Sequence, residues 1–180
     1  MMEPVTAYLG LGGNLGHPEE TIRKALTLLE ESGAVEVRAI SSFYRTEPIG
    51  MANVEGETIP WFVNAVAEID TMLSPQALLE LCLSIEHELG RDRCHHPAYT
   101  GALSRTVDVD ILFYGDSVIR LPELIVPHPR VHERGFTLVP LKELAADLVH
   151  PELGMTIERL AQTVENQTDI KVLESLLAVH

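Results

Sequence analysis

Apolar and polar positions recur along the chain in an order that predicts strand, helix, strand, strand, helix, strand, with further helices after them. Val5 to Leu11 is a short apolar strand running into Gly10-Leu-Gly-Gly-Asn-Leu-Gly16. That run has neither the Gly-Lys-Ser/Thr of a phosphate loop nor the dinucleotide fingerprint, so it predicts a tight strand-to-helix turn. Pro18 sits where helices start, and Ile22, Ala25, Leu26 and Leu29 form a stripe to about Ser32 before Gly33. Val35, Val37 and Ala39 alternate with polar residues in a second strand to about Tyr44. A long connection from Arg45 to Pro60 follows; a loop of this length in a compact domain is usually functional or mobile. Trp61 to Ile69 is the third strand. Ser74-Pro75 opens a helix with Leu78, Cys82, Ile85 and Leu89 at helical spacing, and Gly90 closes it. A second long loop, Arg91 to Ser104, leads into a strand from Val107 to Tyr114 that ends at a Gly115-Asp116 turn. A short strand at Val118 and Ile119 leads through Pro127-His-Pro-Arg130 to a helical segment ending near Leu144, and Thr156 to Val164 reads as a late helix. The stretch to His180 is amphipathic at best. This order suits an α+β fold, an antiparallel sheet with helices packed on it, of the ferredoxin-like kind. With no repeat, low-complexity tract or linker, 1–180 is expected to be a single domain.

Two of the strands break their own pattern. In the fourth strand alternate side chains share a face, so Asp108 and Asp110 point one way while Val107, Val109, Ile111 and Phe113 point the other. Two residues of rise separate the aspartate Cα atoms by roughly 6.6 Å, where two carboxylates repel by about 2.5 kcal/mol at an effective dielectric near 20. In a cleft, cations relieve that repulsion, and a two-metal site suits the pair; on an edge strand the same residues are a solvated polar face. Asn64 is the other exception, sharing a face with Phe62 and Val66 in an otherwise apolar run. A buried amide needs partners: a heterocycle with adjacent donors and acceptors supplies them, and so does backbone at a bulge.

Composition narrows the function. Hydrophobic content of 46% with ordinary Gly and Pro counts excludes a disordered or collagenous chain. No apolar run reaches membrane-spanning length and no basic-then-apolar leader opens the chain, so a cytoplasmic protein without membrane partners is expected. Cys82 and Cys94 are too few for a disulfide scaffold, and a polar loop accounts for His95 and His96. A formal charge of −14 argues against general nucleic-acid binding. Yet seven of the 13 basic residues fall between positions 45 and 134, all arginine: Arg45, Arg91, Arg93, Arg105, Arg120, Arg130 and Arg134. Guanidinium forks bind phosphate oxygens bidentately, so they point to a compact phosphate ligand.

Six blocks taken in order carry a family resemblance: Tyr8-Leu-Gly-Leu-Gly-Gly-Asn-Leu-Gly16, Tyr44-Arg-Thr-Glu-Pro-Ile-Gly50, Phe62-Val-Asn-Ala-Val66, Ile85-Glu-His-Glu-Leu-Gly-Arg91, Arg105-Thr-Val-Asp-Val-Asp-Ile-Leu-Phe-Tyr-Gly115 and Val126-Pro-His-Pro-Arg-Val-His-Glu-Arg-Gly-Phe136. Over about Ala7 to Leu160 the chain resembles the 6-hydroxymethyl-7,8-dihydropterin pyrophosphokinases of folate biosynthesis, leaving 161–180 as a C-terminal tail. The resemblance implies Mg²⁺-dependent transfer of pyrophosphate from ATP to the pterin hydroxymethyl group, with AMP released. It implies two Mg²⁺ ions on Asp108 and Asp110, and Arg91 and Arg105 stabilising the group in transfer. Glu86, Arg93, Ile111, His128 and Arg134 would serve ATP. The pterin would lie between Phe62 and Phe136, with Asn64, Gly12, Thr46 and Ile49 around its edge. A monomer or weak homodimer is expected.

The chain departs from the family in three places. Gly13 stands where a serine is common, Ala102-Leu-Ser-Arg105 replaces a usual Trp-Gly-Pro-Arg run, and the 45–60 loop looks long. Without the usual tryptophan, either Tyr99 or Trp61 covers the pterin or the lid formed by the long loops closes less tightly. Three other functions share parts of this pattern. A pterin- or ATP-binding module without turnover would bind both ligands and release no AMP. A ferredoxin-like RNA-binding domain would need exposed strand aromatics and a basic face. A two-metal hydrolase would need a second carboxylate cluster, for which Glu86 is the nearest candidate.

Overall fold

The computed structural model describes residues 3–47, 60–90 and 106–164, and the backbone of 170–174. The chain runs β1 (Val5–Gly13), α1 (Pro18–Glu31), β2 (Val35–Ile40), β3 (Phe43–Thr46), β4 (Phe62–Thr71), α2 (Pro75–Glu88) and β5 (Asp108–Tyr114). It continues through β6 (Ile119–Arg120), β7 (Ile125–Val126), a 3₁₀ turn at Val131–Glu133, α3 (Gly135–Ala145), α4 (Ile157–Val164) and β8 (Ile170–Glu174). Among the described residues the main sheet is antiparallel with strand order β5-β1-β4-β3-β8, and β2 pairs with β4 beside β3. The α+β architecture expected from the sequence is therefore present.

Helices cover both faces of the sheet. The stripes Ile22, Ala25, Leu29 on α1 and Leu78, Cys82, Ile85 on α2 pack with Leu9, Leu11, Ile69 and Val109. The Ser74 hydroxyl caps α2, accepting the Ala77 N–H at 3.3 Å. On the other face Leu138, Leu141, Ile157 and Leu160 of α3 and α4 pack with Val66, Leu112 and Phe113. Among the described residues no helix is long and apolar enough to cross a membrane.

Four expectations change. The glycine run is strand as far as Gly13, and only Gly16, at φ 64°, takes the left-handed conformation of the turn that follows. The strand expected from Val35 to Tyr44 breaks at Ser41-Ser42. There the Ser41 N–H donates to the Val66 carbonyl and the Ser41 hydroxyl accepts the Val66 N–H, so a side chain fills a ladder position and the backbone turns a corner. Phe113 does not share a face with Val109 and Ile111. The β1–β5 register steps from Leu9↔Ile111 to Tyr8↔Phe113, leaving Leu112 as a bulge and moving Phe113 to the α3–α4 side. Finally, the tail contains β8, whose backbone pairs with β3 from Phe43↔Glu174 to Thr46↔Ile170.

Candidate active site

The site begins with a row of residues across the sheet. In register, Asp108 of β5 lies opposite Gly12 of β1, Gly12 opposite Asn64 of β4, and Asn64 opposite Tyr44 of β3. One step along, Asp110 faces Gly10 and Gly10 faces Val66. All of them turn toward α3, and the two glycines leave the floor between the aspartates and Asn64 without side chains. A cavity of 670 Å³ fills this trough, roofed by the segment from His128 to Thr137. At Gly12 the space is already taken from the side: a Cβ there would lie 2.7 Å from the Asn64 Oδ1.

One end of the cavity is acidic. Asp108 and Asp110 flank Val109, whose N–H points off the open edge of β5 and donates to a Glu86 carboxylate oxygen at 2.8 Å. Glu86, on α2, is only 2% exposed, so a buried carboxyl group is held by the very strand that carries the aspartates. His128 closes this end. Its N–H donates to the Leu112 carbonyl at 2.9 Å, which the bulge leaves off the ladder, and its Nδ1 accepts the Arg130 N–H at 3.2 Å. The ring hydrogen therefore sits on Nε2, which approaches Asp110 Oδ2 at 4.0 Å. Burial, reinforced by Arg134 and Arg130 and opposed by Asp108, holds the His128 pKa down at about 4. At neutral pH the imidazole is an uncharged N–H donor facing the acidic end.

The other end is flat and apolar with one amide. Phe62 and Phe136 both line it, and Asn64, 9% exposed, donates from Nδ2 to the Thr46 hydroxyl at 2.9 Å. Arg134 lies over the Phe136 ring, 5.6 Å from its centroid, which places its charge between the two ends.

The structure thus brings Gly12, Thr46, Phe62, Asn64, Asp108, Asp110, His128, Arg134 and Phe136 to one cavity. Glu86 and Ile111 do not line it; both lie on the α1–α2 side of β5, Ile111 within that core. Arg91, Arg93, Arg105, Ile49 and Tyr99 fall outside the described residues. Trp61 does not line the cavity either, and Arg45 sits over its ring at 5.0 Å from the centroid. Arg130, one of the seven arginines noted in the sequence, lines the cavity too, and Gly10, Glu47, Glu133 and Thr137 line it without having been singled out. For Gly10 the alternation with Gly12 was a usable signal. Glu133 and Thr137 owe their place to the turn of the roof, which no periodicity announces.

Two hard carboxylates side by side, next to an uncharged imidazole and above a floor with no side chains, are a donor set that fits Mg²⁺. That ion is commonly held by one or two carboxylates, with substrate phosphates and water completing its shell. Among the described residues no group of three or more His, Cys, Asp or Glu side chains is arranged to hold a metal by itself, so a phosphate ligand would have to supply the rest.

Fold and cavity together define an α+β protein with a trough on one face of its antiparallel sheet, acidic at one end and aromatic at the other. The sequence comparison gives the particular family. The signature of the 7,8-dihydro-6-hydroxymethylpterin-pyrophosphokinase family matches residues 8–146, and the chain belongs to that family. It is 38% identical over 163 residues to the 2-amino-4-hydroxy-6-hydroxymethyldihydropteridine pyrophosphokinase of Haemophilus influenzae, spanning 91% of this chain and 96% of that one. The Bacillus subtilis enzyme of the same name is 44% identical over 138 residues, 77% of each chain. Among solved structures, the wild-type Plasmodium falciparum HPPK-DHPS with pteroate superposes with a TM-score of 0.69 over 93% of this chain at 16% identity. The chain spans 44% of the length of that protein, and this likeness speaks for the fold alone.

Proposed function

We propose that this chain transfers the pyrophosphoryl group of ATP to the hydroxymethyl oxygen of 6-hydroxymethyl-7,8-dihydropterin, giving the pterin pyrophosphate and AMP. The observation that carries this reading is the two-ended cavity: a carboxylate pair and an amide between phenyl rings, separated by a floor of two glycines. The pterin is a flat ring with adjacent donors and acceptors, matched to Asn64 and Thr46 along its edge and to Phe62 and Phe136 on its faces. Its hydroxymethyl group would then point along the trough toward the aspartates.

In the reaction the hydroxymethyl oxygen forms a bond to the β-phosphorus as the bond from that phosphorus to the α,β-bridging oxygen breaks. AMP leaves with the electron pair, and the hydroxyl proton is released. Most of the work is positioning and charge stabilisation. When bound, Mg²⁺ neutralises phosphate charge and orients the chain of phosphates. Asp108 and Asp110 would hold it, two ions in our reading. The His128 Nε2–H and the Arg134 guanidinium are donors beside the same trough, suited to phosphate oxygens. Arg91 and Arg105 are proposed to stabilise the group in transfer and Arg93 to bind ATP, as the family resemblance implies. Glu86 and Ile111 would support the ATP end from behind the strand. An enzyme of this kind would be cytoplasmic, a monomer or weak homodimer, without nucleic-acid or membrane partners; the −14 charge supports the former exclusion.

The test is an incubation with ATP, Mg²⁺ and the dihydropterin, with nucleotides resolved by chromatography. AMP appearing in step with pterin pyrophosphate is the expected result. ADP or inorganic phosphate would point to a different phosphoryl chemistry, and ligand-induced thermal stabilisation without AMP would indicate a binding protein.

A further inference from the structure

Helix α3 begins at the cavity and reaches the corner between β2 and β3. Phe136 and Glu143 are seven residues apart, two turns, so they share a face about 10 Å apart along the axis. Pro140 lies between them and has no N–H for the Phe136 carbonyl, so the first turn of α3 lacks that rung. Phe136 and Glu143 stay joined through the continuous helix Gly135–Ala145, so the place of Phe136 over the sheet follows how α3 is held there.

Glu143 is a fastening on the sheet side. One of its carboxylate oxygens accepts the Ser42 N–H at 2.8 Å, and the other accepts the Tyr44 hydroxyl. Ser42 and Tyr44 are both buried, whereas Glu143 lies at the rim. Burial, together with the adjacent carboxylate, raises the Tyr44 pKa, keeping its phenol a neutral donor. The sheet side of this contact is itself fixed, because Ser41 is pinned to Val66 through both its N–H and its hydroxyl. Tyr44 pairs in register with Asn64 and stands two residues before Thr46, the acceptor of the Asn64 amide. A single carboxylate thus joins the helix bearing Phe136 to the strand bearing Thr46.

The geometry points to Glu143 as a positioning residue for the heterocycle end of the cavity. It sets the spacing between Phe136 and the Asn64–Thr46 pair, and so the fit for a flat ring, without touching substrate. The acidic end is fastened separately, by pairing of β5 with β1, by Glu86 and by the Leu112 carbonyl. The inference rests on the pterin reading for the identity of the ring, and it separates the two ligands sharply.

The experiment is calorimetric titration of the full chain with 6-hydroxymethyl-7,8-dihydropterin and, separately, with a non-hydrolysable ATP analogue and Mg²⁺. Glu143→Leu should weaken pterin binding about tenfold, the scale of one charge-assisted hydrogen bond, and leave the ATP analogue within about twofold. Glu143→Gln, which keeps an oxygen acceptor, should restore most of the pterin affinity, and Tyr44→Phe should fall between. A lower melting temperature with pterin affinity unchanged, or equal losses for both ligands, would overturn the assignment. A wild-type chain that binds the ATP analogue and Mg²⁺ but takes up no pterin, either alone or with the analogue already bound, would overturn the pterin reading itself, before any variant is made.

Discussion

Asp108, Gly12 and Asn64 stand in one row of the sheet, and each can be tested alone. If the carboxylates act through Mg²⁺, Asp108→Ala or Asp110→Ala should cut turnover by about a thousandfold or more while the chain stays folded, since several kcal/mol of charge stabilisation is lost. Steady-state kinetics across a Mg²⁺ series decides it; near-normal Mg²⁺-dependent rates in either variant would refute the metal assignment. Gly12→Ala is a subtler probe. Its Cβ would meet the Asn64 Oδ1 at 2.7 Å, so the amide must leave Thr46 or the strand must shift. Pterin affinity should fall at least tenfold, with ATP affinity less affected, because an unmet polar edge in a pocket is costly. Equal effects on both ligands would mean that the row serves packing instead.

At the scale of elements, two supports invite a test. Glu86 ties α2 to β5 through the Val109 N–H between the aspartates. Glu86→Leu would leave that buried donor without its acceptor, at a cost of about 1–3 kcal/mol, and should also raise the Mg²⁺ concentration needed for half-maximal rate. Chemical denaturation and a Mg²⁺ titration read the two effects; a stability loss with unchanged Mg²⁺ dependence would make Glu86 a purely structural residue. β8 supports the other side of the sheet, pairing with β3 along Phe43–Thr46. Ending the chain after Val164 would expose that edge, and unpaired edges weaken sheets and recruit other chains. The melting temperature should drop by about 5 °C and sedimentation should show association; an unchanged melting curve would mean that β8 contributes little.

For the whole molecule, pH acts partly through histidines buried in the fold. His150 lies against Phe113, and its Nδ1 accepts the N–H groups of Glu152 and Leu153, each at 3.3 Å. Protonating that nitrogen would set a donor against two donors. Burial, with His132 nearby and Glu152 opposing, lowers its pKa from the ordinary 6.5. Between that value and the lower folded one, the unfolded chain carries a proton that the native His150 lacks. Stability from this group is therefore complete above pH 6.5 and is lost as the pH falls toward the folded pKa. His150→Asn keeps an acceptor and removes the titration, so its melting temperature should fall less steeply with acid than that of the wild type. Parallel curves for the two proteins would exclude the histidine as a source of the pH dependence.

Much of this protein is written locally. The periods of two and of 3.6, with Pro18, Ser74, Gly90 and Gly115 as punctuation, give most of the strands and helices and the α+β class, because burial of one face requires those spacings. Asp108, Asp110 and Asn64 were conspicuous because a polar side chain in an apolar strand breaks its period, and all three line the cavity. What the sequence could not show is register and direction. The Leu112 bulge moved Phe113 to the other face, since a single extra residue reverses every later side chain. Ser41 turned one strand into two through bonds to Val66, a residue 25 positions away. The meeting of Gly12 with Asn64, the fastening by Glu143 and the pairing of β8 all join residues distant in the chain. Contacts of that kind leave no local period, so only the tertiary structure decides them.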